Sequence, residues 1–168
     1  MSCGHGKTGK CVSDILRRIA DVQSEVTEGC RVSCEQSIED LVSPVAGNNL
    51  NTIPLILYCG CEPFEGFGVR RDNSGFECLS SFFFRVKSVD EHDCAVLELL
   101  EVDGMGNGNG GHGPKNPCDQ FDESTEFTRT GICITADLTC FCAVSCLPAV
   151  NAVMGTTNGR PCNGNHDD

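Results

Sequence analysis

The stretch ICITADLTCFCAVSC, Ile132 to Cys146, sets the fold reading. Its even positions, Ile132, Ile134, Ala136, Leu138, Cys140, Cys142, Val144 and Cys146, are all apolar or thiol. The positions between them include Thr135, Asp137, Thr139 and Ser145. A period of two with one apolar face predicts a half-buried strand.

Working outward, SSFFFRVKSV alternates too. Phe82, Phe84 and Val86 share one face, while Phe83, Arg85 and Lys87 share the other. In CAVLELLEV, Cys94 to Val102, the alternation blurs, which suits a strand covered on both faces. Leu55, Leu57, Cys59 and Cys61 again recur at every second residue, with Pro54 marking a strand start or an edge. Near the amino end the period changes. Val12, Ile15, Leu16, Ile19, Val22 and Val26 form one stripe of an amphipathic helix, with Gly29 as its stop. The expected fold is α+β: a mainly antiparallel, sandwich-like β core with an N-terminal amphipathic helix.

Residues 1–10 read as a flexible Gly/Lys arm and 11–150 as a single helix-plus-β domain. GMGNGNGGHG, residues 104–113, reads as a Gly-rich loop, and 151–168 as a flexible tail. With 168 residues and 39% apolar content, the chain can bury the core of one domain. Twenty-four acidic against twelve basic residues give a net charge of −12. That balance disfavours nucleic acid, whose binders displace counterions with Lys and Arg, and it disfavours anionic membrane as well. No apolar run approaches the ~20 residues of a spanning helix. The opening MSCGHGKTGKC lacks the apolar region of a secretory signal, so synthesis in a cytosol is expected. Fourteen cysteines conflict with that expectation, because such a density belongs to secreted disulfide scaffolds and cytosolic glutathione keeps thiols reduced.

Four uses of those thiols compete. For metal, paired C-x2-C is absent; only C-x-C (Cys59/Cys61, Cys140/Cys142) and C-x3-C (Cys30/Cys34, Cys142/Cys146) occur. On a flat strand, residues two apart lie roughly 6.6 Å from each other on one face, a poor match to thiolates sharing a tetrahedral zinc. The same separation keeps Cys140 and Cys142 from pairing with each other. As core residues, Cys140, Cys142 and Cys146 continue an apolar face, and with Cys94 they are the candidate core or intramolecular cysteines. Cys133 points to the opposite side. Cys3, Cys11, Cys30, Cys34, Cys118 and Cys162 fall in arms, loops or helix ends and are the candidate intermolecular thiols.

A nucleophilic cysteine needs an oriented base. His5, His112 and His166 lie in the arms or the Gly-rich loop, and His92 lies in a DEHD turn, so no catalytic residue is expected. GHGKTGKC (Gly4 to Cys11) fits G-x-x-x-x-G-K, yet no strand can precede it and Cys11 stands where Ser or Thr would ligate magnesium. No cofactor or metal site is expected. The acidic VDEHD and DESTE stretches read as solvated turns.

The runs CITADLTCFCAVSCL and FFFRVKSVDEHDCAVLELL resemble the cysteine-rich spore coat family of CotY, CotZ and ExsY. IPLILYCGCEPFEGFG and the MSCG opening followed by a CVSD helix are similar to it too. The resemblance spans roughly residues 1 to 147 and implies a structural, non-enzymatic protein of the spore crust or exosporium basal layer. It implies synthesis in the mother cell, self-assembly into ordered and usually hexagonal sheets, and later disulfide locking. The implied partners are further copies of the chain and other spore coat or exosporium proteins. The rival readings are a metal-binding protein, a thiol redox enzyme with a thiol of depressed pKa, and a coat-anchoring protein with no lattice of its own.

Overall fold

The computed structural model describes residues 12–24, 31–43, 49–71, 75–103, 115–121 and 126–155. The expected arm, Gly-rich loop and most of the tail lie outside them, as do Gly29, His5, His112 and His166. The chain divides into two units, residues 1–31 and 32–168. The predicted helix falls in the first unit and the strands in the second.

In the first unit, α1 (Val12–Ser24) is the predicted amphipathic helix. Its apolar stripe is solvent-exposed, from Val12 and Ile15 through Ile19 to Val22. In the second unit, α2 (Cys34–Val42) begins at Ser33, whose hydroxyl accepts from the Gln36 N–H at 3.1 Å. That is the Ser-x-x-Gln start signal of a helix N-terminus. No helix among the described residues is long and apolar enough to cross a membrane.

The strands follow as β1 (Leu55–Cys59), β2 (Glu62–Pro63), β3 (Gly66–Arg71), β4 (Phe76–Ser81), β5 (Phe84–Val89), β6 (Cys94–Asp103), β7 (Glu126–Asp137), β8 (Ala143–Cys146) and β9 (Val153–Met154). The larger sheet runs β2-β1-β5-β6-β7-β9, with β8 also paired to β1, and β3-β4 form a separate hairpin. Among the described residues only β7-β9 is parallel, so the fold is the expected mainly antiparallel α+β.

β6 accounts for the blurred alternation in its sequence, since both of its faces are covered. Ala95, Leu97 and Leu99 join Leu55, Leu57 and Phe84 in one core; Leu100 and Val102 join Phe83, Phe127 and Ala152 in another. Successive side chains point to opposite sides of a strand, so Phe83 and Phe84 serve different cores. The β3-β4 hairpin lies over the first core. Gly66 and Gly68 sit so close to Phe84 and Ile132 that a Cβ at either position would overlap them.

A bulge interrupts β6-β7. Between the pairs Glu98↔Cys133 and Leu100↔Arg129, β6 uses Leu99 alone while β7 uses Thr130, Gly131 and Ile132. Gly131 takes φ +70°, a conformation that glycine adopts at least cost. The freed backbone groups are satisfied locally. The Thr130 hydroxyl donates to the Leu99 carbonyl at 2.7 Å and accepts from the Ile132 N–H at 3.0 Å. Glu98, 1% exposed, accepts from the Gly131 N–H at 3.2 Å and from both Arg85 and Arg129 at 3.3 Å.

Candidate functional site

The stretch read as one strand from Ile132 to Cys146 is in fact two strands joined by a turn. β7 starts earlier, at Glu126, and ends at Asp137; a 3-10 turn, Leu138–Cys140, precedes β8. Asp137 causes the break. Its carboxylate accepts from the Thr139 hydroxyl at 2.6 Å and the Thr139 N–H at 2.9 Å, closing a local turn in place of the ladder. Those two donors hold the Asp137 carboxyl below its ordinary value, the hydroxyl contributing most.

The turn shifts the phase of everything after it. Ile132, Ile134, Ala136 and Leu138 pack on the first core as expected, but Phe141 is the next to do so, stacking edge-on against Phe64 at 5.3 Å. Cys140 and Cys142, expected in the core, are therefore exposed and free. Cys94, also expected in the core, is exposed and free at the mouth of β6, where the adjoining turn holds it: its N–H donates to the Asp90 carboxylate at 2.8 Å.

Cys146 keeps an inward position and is bonded to Cys34, the first residue of α2, with Cα atoms 4.9 Å apart. Cys34 is a candidate intermolecular thiol by sequence, yet it opens α2, a helix the sequence reading does not include, and it is bonded within the chain. α2 lies against β8, and the Ser37 hydroxyl donates to the Leu147 carbonyl at 2.7 Å. Cys133 is half-buried and disulfide-bonded, its partner beyond the described residues. Cys118 is exposed and free on a short 3-10 turn, Pro117–Gln120, where the Asn116 side chain accepts its N–H at 2.9 Å. Cys3, Cys11, Cys30 and Cys162 lie outside the described residues, as does GHGKTGKC.

Three free, exposed thiols were assigned no role from sequence: Cys59, Cys61 and Cys78. Cys59 and Cys61 do not share the face of a flat strand. Gly60 and Cys61 are the two central residues of the β1-β2 hairpin, with φ +59° and +69°, a pattern that demands positive φ at both. C-G-C followed by Glu-Pro was the available signal. Both C-x-C pairs thus flank turns, and the turns adjoin. The Cys142 N–H donates to the Tyr58 carbonyl at 2.9 Å and its thiol approaches the same oxygen at 3.4 Å, one residue from Cys59. Beside Cys142 opens an apolar hollow of about 400 Å³, lined by Leu55, Leu57, Val86, Leu97, Phe141 and Val144.

Among the described residues, Cys59, Cys61, Cys78, Cys94, Cys118, Cys140 and Cys142 are free and exposed, all on turns, strand ends or outward faces. No three His, Cys, Asp or Glu side chains among those residues converge as a ligand set for one metal ion. His92 is exposed in the Asp90–Asp93 turn, where its N–H donates to the Asp90 carboxylate at 2.9 Å. The chemistry on offer is thiol chemistry at a surface.

A well-packed β unit with such a periphery fits the class of cysteine-rich structural proteins. The family of Spore coat protein Z matches residues 1–149, and the chain belongs to it. It is 31% identical over 147 residues to Spore coat protein Z of Bacillus subtilis (strain 168), covering 84% of this chain and 90% of that protein. No solved structure matches. Membership puts the chain among the structural proteins of the spore coat, and so in an outer layer of the spore.

Proposed function

We propose that the protein builds an ordered two-dimensional lattice in the spore crust or the exosporium basal layer, and that disulfides between neighbours then lock it. The observation that carries this reading is the placement of the free thiols. Seven described cysteines are solvent-facing while both cores are filled by aliphatic and aromatic side chains. Cross-linking at the surface would leave the packing of the fold undisturbed. Synthesis in the mother-cell cytoplasm keeps those thiols reduced until assembly is complete.

Non-covalent contacts set the geometry, and each contact is weak. Once neighbours are held in place, a thiol meets its partner at a high effective concentration, so oxidation converts many weak contacts into a durable sheet. Further copies of the chain are the principal partners, with other coat or exosporium proteins at its margins. Nucleic acid and membrane are not among them, consistent with a net charge of −12.

Negative-stain electron microscopy of the protein expressed alone in a reducing cytosol tests the proposal. Periodic sheets or closed lattice shells are expected before any oxidation. A monodisperse monomer would refute lattice formation and favour a coat-anchoring role, to be followed by pull-down of coat partners.

A further inference from the structure

The β3-β4 hairpin carries a feature that the preceding reading does not use. It is a two-stranded sheet that no third strand joins among the described residues. Its inner face is accounted for by Gly66, Gly68 and Leu79 against the first core. Its outer face shows Phe67, Val69, Phe76 and Cys78, with Phe67 63% and Phe76 80% exposed. The register sets Val69 opposite Cys78 and Phe67 opposite Ser80.

Among the described residues, β4 is the less protected of the two edges. Edge strands are normally blunted by Lys, Pro, a bulge or an unpaired charge. β3, GFGVRR, has two glycines and two arginines. β4, FECLSS, has no Pro and no Lys, and its six pairs with β3 run without a register shift. Its single acid, Glu77, is neutralised by Arg70 at 2.7 Å. Among the described residues of the hairpin, the outer face holds no acid and one base, Arg71, whose guanidinium lies 5.8 Å from the centre of the Phe76 ring. In a chain of net charge −12, this is a surface where two copies meet with little repulsion.

Distances decide how such copies could be joined. Two hairpins stacked face to face hold their backbones ~10 Å apart, too far for a disulfide, whose Cα atoms lie about 4.4–6.8 Å apart. Two β4 strands paired edge to edge and antiparallel about a two-fold axis bring identical residues to about 4.5 or 5.5 Å, according to register. Only the second arrangement suits a bridge. The exposed apolar surface of Phe67, Val69 and Phe76, on the order of 350 Å², is less than half of the ~800 Å² per partner of a stable interface. Pairing here would therefore be reversible until a covalent bond closes it.

We propose that β4 of one copy pairs antiparallel with β4 of a second copy about a two-fold axis through Cys78, and that a Cys78–Cys78 disulfide then fixes the pair. The inference rests on the self-association reading above. The oxidant is a low-molecular-weight disulfide. One Cys78 thiolate attacks it, releasing one small thiol and leaving a mixed disulfide; the second Cys78 thiolate displaces the other half as a second small thiol. Two protein thiols are oxidised, one small disulfide is reduced, and the two protons leave on the small thiols.

The test uses the full chain, reduced, then exposed to oxidised glutathione, alkylated with N-ethylmaleimide, digested and read by mass spectrometry. Each chain has one Cys78, so a Cys78–Cys78 peptide is intermolecular by necessity, and it is expected as a major species. Phe76→Glu, at an exposed position that leaves the core intact, should lower its yield about fivefold at low salt with an unchanged circular dichroism spectrum. Cys78 recovered alkylated, or bonded to a different cysteine or a different protein, from a sample that forms periodic assemblies would overturn the proposal and leave the lattice reading standing. Absence of both assemblies and linked peptides would overturn the two together.

Discussion

Replacing Glu98 by Gln tests the ion cluster that secures the β6-β7 bulge. The substitution keeps the shape and one acceptor for the Gly131 N–H, removes the charge, and turns an NH2 group toward two guanidinium groups. Breaking one partner out of a buried pair costs about 3–5 kcal/mol when the remaining charge cannot reach water. Here Arg85 and Arg129 keep 23% and 21% of their side chains exposed, so hydration recovers part of that cost. The expected loss is about 2–3 kcal/mol, equivalent to a fall of roughly 4–12 °C in Tm for a unit of this size. Urea denaturation followed by circular dichroism, in reductant and at low protein concentration, measures it. Pairing the substitution with Arg129→Met in a double-mutant cycle isolates the interaction, with a coupling of about 1 kcal/mol or more expected. A loss under about 0.5 kcal/mol with no coupling would show that the cluster is not what holds the bulge.

Gly68→Ala forces a Cβ into Ile132 and should cost about 1–3 kcal/mol by the same assay, whereas Phe67→Ala, on the outer face next door, should stay within about 0.5 kcal/mol. Cys34→Ser removes a bridge spanning 112 residues and should cost about 2–5 kcal/mol under oxidising conditions; the difference should vanish once the wild-type bridge is reduced, and its persistence would point to lost helix packing instead. The Asp137 turn carries a pH signature. Its carboxyl titrates below the ordinary value of 3.8, so the stabilisation it lends is complete above that value and is lost as pH falls through the lower, folded one. Protection of the Thr139 amide, its exchange rate relative to the intrinsic rate at each pH, should hold from neutrality down to that region and fall only beneath it; protection lost near neutral pH would contradict the hydrogen-bond account.

The antiparallel core was readable because its evidence was repeated burial: Phe84, Leu97, Ile134 and their neighbours each mark a face, and one slip in register would expose them all. What escaped was local and polar. Asp137 ends a strand through two hydrogen bonds to Thr139, which hydropathy alone does not register, and that one turn reversed the expected burial of Cys140 and Cys142. Helix α2 was signalled by Ser33 and Gln36 but not by a long apolar stripe, since a nine-residue helix has little stripe to show. Of the candidate thiols, the pairing of Cys34 with Cys146 depends on residues 112 apart in the chain and could not be read from spacing. Cys78 draws no reading from the sequence; only the register, which turns Gly66 and Gly68 inward, shows that it faces out.

The two cores on opposite sides of β6 contain none of the free thiols among the described residues. If neighbours are locked as proposed, folding and hardening are separate events with separate clocks. The chain can reach its final shape while every one of those sulfurs is still reduced, and the surface can be oxidised later without asking the interior to move. On the proposed reading, the chain before cross-linking and the locked building block share one fold and differ in bonds between surface thiols, while the Cys34–Cys146 bridge belongs to the fold itself.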